Sequence, residues 1–353
     1  MKDNLKLIFQ VATVFIGTIV GAGLASGKEI TQFFTQYGIK SFAGIIGCGI
    51  FYIIMGSIIS KISIYHKLDS YSDVIDLISP NLIGKFTGFI TTLFLISSAS
   101  IILAGSGALI QQFFGIPRII GSLIMICFAL FFLLRGTDGL IEVNSFIVPG
   151  LISTITLITI LYFCFSRDTV SMNNILSFEP KKTGIFISTL LYAGYNTLSA
   201  SGVIVPLSNQ IKKSKVMILG ILAGVTGLTI LCSMINLLLT VNQPYIYNYE
   251  IPLLFVANRF GNIVQAVLLM IIWLEMFSTE VSDVYSISKT LAQSFDVDFK
   301  KAAFSVITVA LIISQFGFGN LITRLYPLFG LLSLLFISQC LIYYWKNRKI
   351  LSK

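Results

Sequence analysis

The chain has 353 residues, 56% of them hydrophobic and only 11% charged, with a net charge of +9 and a mean hydropathy of +0.90. A soluble domain carries about 25% charged residues, so a water-facing globule is excluded and a bilayer is the matching solvent. The positive charge does not call for nucleic acid, because Lys and Arg accumulate in the cytoplasmic loops of membrane proteins. Cys48, Cys127, Cys164, Cys232 and Cys340 are scattered in apolar runs without a CxxC pair and read as buried hydrophobes. His66, the single histidine, has no partners for a metal site and reads as interfacial filler. No small-residue cleavage site follows the first apolar core, so that segment is expected to stay in the mature protein.

In chain order, ten apolar segments approach the roughly 20 residues a helix needs to cross hydrocarbon. They are 7–36, 41–64, 86–114, 118–134, 144–166, 184–207, 215–240, 262–291, 301–318 and 324–345. The first is interrupted at Gly17-Thr18-Ile19-Val20-Gly21-Ala22-Gly23-Leu24-Ala25-Ser26-Gly27. Segment 3 carries Ser97, Ser98, Ser100, Gly105, Ser106 and Gly107, a small-residue pattern that suits close helix packing. The sixth segment repeats the anomaly of the first, at Tyr192-Ala193-Gly194-Tyr195-Asn196-Thr197-Leu198-Ser199-Ala200-Ser201-Gly202. Residues 245–261, after the turn signal Asn242-Gln243-Pro244, are long enough for a short surface helix.

Segments 1 and 6 are five apart, an odd number, so two five-segment halves would enter the membrane in opposite directions. Matching interruptions in inverted halves point to a transporter binding site. The expected fold is therefore an all-α membrane protein. About ten transmembrane helices form two inverted five-helix repeats, 1–166 and 184–345, in a single integrated transmembrane domain with helices 1 and 6 broken. An open break at Gly21 and Gly23 frees N–H groups that suit a carboxylate and carbonyls that suit a cation. The competing reading is that these glycines only let helices pack closely.

Segment 8 contains Trp273-Leu274-Glu275-Met276-Phe277-Ser278-Thr279-Glu280-Val281-Ser282-Asp283. A carboxylate at mid-membrane costs about 2.5–3.5 kcal/mol on insertion scales, so it normally faces a cavity or a partner. Glu275, Ser278, Thr279 and Ser282 share one helical face by spacing, and their oxygens suit a small hard cation. The competing reading is that Ser278 and Thr279 bond to helix carbonyls. Glu280 and Asp283 are expected to pair with Lys or Arg near the cytoplasmic end. With the N-terminus inside, sixteen Lys and Arg fall on the cytoplasmic side and eight outside, among them Lys28, Arg118 and Arg259. That bias sets both termini in the cytoplasm of a plasma-membrane protein.

At Gly17–Gly23 and Glu275–Thr279 the sequence resembles the amino acid–polyamine–organocation superfamily, with the five-plus-five fold of the neurotransmitter:sodium symporters. The run from Gly17 to Ile30 most resembles bacterial membrane proteins of the YkvI type. The symporters' Gly-Asn-Ala-Val-Gly-Leu-Gly stands in register with Gly17-Thr18-Ile19-Val20-Gly21-Ala22-Gly23. The resemblance implies that the Gly17 and Val20 carbonyls, the Glu275 carbonyl and the Ser278 and Thr279 hydroxyls form a metal site for Na+. It implies that Gly21, Ala22 and Gly23 hold a substrate carboxylate, with Thr197 and Ser199 at the matching Thr-Leu-Ser of helix 6. Tyr195 and Asn196 are expected to line the side-chain pocket. Leu24 stands where the family's first sodium site has Asn, and Glu275 stands where a small residue is usual. Segment 5 lacks the Lys that replaces the cation in some sodium-independent relatives.

The function expected is cation-coupled symport, Na+ ahead of H+, of an amino acid, amine or similar small solute by alternating access, with no organic cofactor. Lys28 and Glu29 are expected at an outer gate, solvated loop charge being the alternative. A second class is an amino-acid-sensing membrane receptor subunit resembling spore-germination proteins. An enzyme is disfavoured, because no nucleophile and base stand together at membrane depth. A channel is disfavoured because buried interrupted helices suit occlusion.

Overall fold

Backbone groups in hydrocarbon must satisfy one another, so long apolar runs fold as helices. A computed structural model describes residues 2–79, 82–135, 140–166, 175, 176 and 178–351. Helices account for the regular structure of the described residues. The first segment is three helices, α1 (Lys2–Ile19), α2 (Ala22–Ala25) and α3 (Lys28–Phe33), followed by α4 (Lys40–His66). A short amphipathic helix, α5 (Tyr71–Ile78), starts with a capping box in which Ser70 and Asp73 satisfy each other's amides. Next come α6 (Leu82–Phe114), α7 (Arg118–Arg135), α8 (Leu140–Phe165), α9 (Ile185–Ile211) and α10 (Ser214–Thr240). The chain ends with α11 (Pro252–Asn258), α12 (Asn262–Phe295), α13 (Phe299–Ser314) and α14 (Phe318–Leu351).

Among the described residues, six helical stretches are long and apolar enough to cross a membrane: Lys40–His66, Phe86–Phe114, Ile147–Phe165, Ser214–Thr240, Asn262–Lys289 and Phe318–Leu351. Their outward faces carry apolar stripes, such as Ile46, Ile50 and Ile54 on α4, each about half exposed. Segment 9 was expected to reach residue 318; it ends instead at Ser314, because Gly317 takes a left-handed turn and Phe318 opens α14. The short helix expected in 245–261 is present as a tight turn at Tyr245–Asn248 followed by α11, but α11 is not a surface helix: Pro252, Leu253, Leu254, Val256 and Ala257 are buried.

The helices sort into two packed groups. One joins α1, α4, α9 and α10, with α14 against α9; the other joins α6, α7, α12 and α13. The helix α8 touches α10 and α12, and α2 packs against α12, so the opened first segment sits where the groups meet.

The break expected in segment 6 is absent. The helix α9 runs unbroken through Tyr192–Gly202, with positive φ only at its flanks, Gly184 and Lys212. Two of its small polar residues bond within the helix: the Asn196 amide donates to the Tyr192 carbonyl and the Ser201 hydroxyl to the Leu198 carbonyl. Its glycine serves packing. A methyl on Gly194 would lie 2.6 Å from Ser333 Oγ and 3.1 Å from the Gly330 carbonyl, and one on Gly330 would overlap the Leu191 carbonyl. Here the close-packing reading holds, as it does for segment 3, where Gly107 and Gly121 seat α6 on α7.

Candidate functional site

The first helix does open. Val20 and Gly21 leave the helix, with Gly21 extended at φ −107° and ψ −173°. The Gly21 amide turns to the Ile19 carbonyl at 3.0 Å, and the next helical bond is Ala25 to Gly21. No backbone N–H reaches the carbonyls of Gly17, Thr18 and Val20, and the amides of Ala22, Gly23 and Leu24 have no backbone acceptor. A second turn at Gly27, φ +79°, separates α2 from α3. Left-handed geometry favours glycine there.

The side chain that lies against Gly23, just past the break, reads from sequence as outer gate or loop charge. Glu29 is instead 2% exposed, and its Oε2 accepts a hydrogen bond from the Tyr192 hydroxyl at 2.9 Å. A methyl on Gly23 would overlap its carboxylate. Tyr326 also lies within reach of Glu29, and its ring stacks on Tyr195 at 4.2 Å between centroids. Phe33 and Phe34 each meet the Tyr192 ring at 5.1 Å, and Phe94 meets Tyr195 at 5.3 Å. The result is a buried carboxylate in an aromatic shell beside three free amides. Tyr192, Tyr195, Asn196 and Ser199 share one face of α9 by their i, i+3, i+4, i+7 spacing. That spacing is the signal that could have added Tyr192 to the sequence reading.

Of the residues expected on α9, Tyr195, Asn196 and Thr197 are buried and Ser199 is half-buried. The Thr197 hydroxyl has no hydrogen-bond partner, and the Asn196 side-chain amide donates within the helix. On α12, Glu275 and Ser278 are buried and Thr279 is half-buried, but Ser282 is exposed, so the expected four-residue face is only partly turned inward. The Thr279 hydroxyl donates to the Glu275 carbonyl at 3.0 Å, the local bond that the sequence left open as an alternative.

Glu280 overturns an expectation. It was to pair with Lys or Arg, yet it is fully buried and both its carboxylate oxygens lack hydrogen-bond partners. Asp283 lies near it and within reach of Ser98, and its Oδ2 is also unpartnered. The one ion pair among the described residues lies elsewhere, Arg118 to Glu250 at 2.9 Å. A bare carboxylate in a low-dielectric interior costs several kcal/mol. A proton or a cation would relieve it.

Residues 249–253 pack on the turn between α2 and α3. Lys28 Nζ donates to the Tyr249 carbonyl at 2.9 Å, so Lys28 is bound rather than solvated. The Gln112 side chain donates to the Ile251 carbonyl at 2.9 Å and accepts from the Ile251 amide at 3.0 Å. The Leu253 amide donates to the Ser26 carbonyl at 3.0 Å. Gln112 and Glu250 carry no sequence signal; only the fold brings them to this segment.

Comparison with known proteins places this architecture. No family profile matches the sequence. The chain is 33% identical over 341 residues to membrane protein YkvI of Bacillus subtilis strain 168, covering 97% of each chain. It belongs to the YkvI family of membrane proteins. YyaD of the same organism is 22% identical over 336 residues, covering 94% of this chain and 95% of that one. Among solved structures, inward-facing Mhp1 superposes with a TM-score of 0.66 at 14% identity, over 97% of this chain and 77% of Mhp1. A manganese transporter of Eremococcus coleocola gives 0.65 at 14% identity, over 96% and 79%. MhsT, in complex with L-phenylalanine, gives 0.62 at 16% identity, over 94% and 90%. This YkvI-family chain thus shares its fold with Mhp1, the manganese transporter and MhsT.

Proposed function

We propose that the chain is a secondary active transporter that moves an amino acid, amine or similar small solute by alternating access, coupled to a cation. In this reading the chain makes ten spans in two inverted repeats, 1–166 and 184–345, with both termini in the cytoplasm. The observation that carries it is the open helix at Val20–Gly21, where unpaired carbonyls face one way along the chain and unpaired amides the other. Such groups are costly in a membrane interior unless a ligand, water or side chain meets them. The Gly17 and Val20 carbonyls, the Glu275 carbonyl and the Ser278 and Thr279 hydroxyls would hold the cation, Na+ ahead of H+. The Thr279 hydroxyl would give up its bond to Glu275 for this. Contact between α2 and α12 supports the assignment, as does the unpartnered carboxyl of Glu280, next to Thr279. Gly21, Ala22 and Gly23, with Tyr195, Asn196, Thr197 and Ser199, would line the solute site. Coupling follows if the bound cation stabilises the state that binds solute, since a ligand shifts conformations only through differential affinity.

The test is uptake of a solute panel into proteoliposomes, with and without a sodium gradient. Sodium-driven uptake is expected in the native chain, and Ser278→Ala with Thr279→Ala should abolish the sodium dependence while leaving the protein folded. A double variant with an intact sodium response sinks the α12 assignment. Solute binding without flux would favour the receptor class.

A further inference from the structure

We propose that the solute pocket at the helix break takes an organic cation, a primary or secondary ammonium compound, with Glu29 as its counter-charge and tyrosine ring faces as its walls. The inference rests on the transport reading above and narrows its solute class.

The amides of Ala22, Gly23 and Leu24 suit an anion, and the chain places its own acid, Glu29, against Gly23. Glu29, two turns further on, lies against Gly23 so closely that even a methyl there would meet it. An incoming carboxylate would therefore meet like charge at the same spot. At a few ångströms, and in a medium less polar than water, that repulsion reaches several kcal/mol. A carboxylate already stands beside the place where an amino acid would bring its own.

Nothing cationic in the described surroundings neutralises Glu29. Its hydrogen bond comes from the neutral Tyr192 hydroxyl, with Tyr326 the other hydroxyl in reach. The adjacent Lys28 is turned to the Tyr249 carbonyl, and the one described ion pair is Arg118–Glu250. A ligand bearing positive charge would complete the set. The walls agree: Tyr192 with Phe33 and Phe34, and Tyr326 with Tyr195 and Phe94, set two ring groups about the acid, and the electron-rich face of such rings attracts ammonium groups. A carboxylate gains nothing from those faces.

Matched pairs test the idea without any variant. The purified full chain, in sodium buffer, is heated with phenylalanine or phenethylamine, ornithine or putrescine, leucine or isoamylamine. At about 100 times the dissociation constant, a binder should raise the melting temperature by several degrees. The amine of at least one pair should do so and its amino acid should not. Glu29→Gln should weaken the amine response at least tenfold in affinity, and Tyr192→Phe less. An amino acid that stabilises as well as its amine overturns the inference, as does an amine response undiminished in Glu29→Gln. If the amino acid also enters proteoliposomes on a sodium gradient, the transport reading survives that loss. If no member of any pair, nor any solute of the wider panel, binds or moves, the transport reading fails and takes this inference with it.

Discussion

At Val20–Gly21 the first helix opens and presents bare peptide groups, whereas α9 runs on from Ile185 to Ile211 through a stretch equally rich in glycine and small polar residues. Composition does not separate the two regions. Surroundings do. Within Tyr192–Gly202, Asn196 and Ser201 return to carbonyls one turn back, and Gly194 receives Ser333 of α14. Around α2 the neighbours instead favour the open form. Gly27 turns the chain left-handed, the Leu253 amide takes the Ser26 carbonyl, and Glu29 folds back on Gly23. Four residues are too few to hold a helix unaided, so α2 keeps its shape through these contacts. Glycine permits a break; tertiary partners decide whether it happens.

Substitutions can press on this contrast. The largest effect is expected from Gly23→Ala, which pushes Glu29 off its tyrosine. Losing a charge-assisted hydrogen bond costs about 2–3 kcal/mol, so solute uptake should fall roughly 30–150-fold in a proteoliposome assay. Gly330→Ala drives a methyl into the Leu191 carbonyl and should cost about 1–3 kcal/mol of stability, read as a lower melting temperature in detergent. Gly21→Ala meets no neighbour within 4 Å. It adds helix propensity of about 1 kcal/mol at the break, so uptake should drop about fivefold with the melting temperature unchanged. Gly202→Ala is likewise free of neighbours but sits in a continuous helix. It should stabilise by at most about 1 kcal/mol and leave uptake intact. Equal uptake in the Gly21 and Gly202 variants would show that the two regions do not differ in function.

Much of the fold was legible because apolar length has one solution in a bilayer. The runs at 41–64, 86–114, 215–240 and 262–291 all became helices within a few residues of their expected ends. The break at Gly21 was legible from glycine spacing. The continuity of α9 was not, because the groups that satisfy Asn196 and Gly194 lie partly on a helix more than a hundred residues away. For the same reason Glu29 reads as outer gate or loop charge in the sequence, and only the fold encloses it between Gly23 and Tyr192. Glu280 was assigned a basic partner on the rule that buried charges pair, and the rule had no way to count the Lys and Arg side chains at that depth.

The glycine contact between α9 and α14 has a mechanical consequence. Where Gly330 and Leu191 bring two backbones together, with Gly194 against Ser333 on the same seam, the rods cannot slide past each other without collision. They must travel as one piece during any cycle. A cysteine cross-link engineered across that seam should therefore leave turnover untouched, while one joining α2 to α12 should freeze the protein in a single posture.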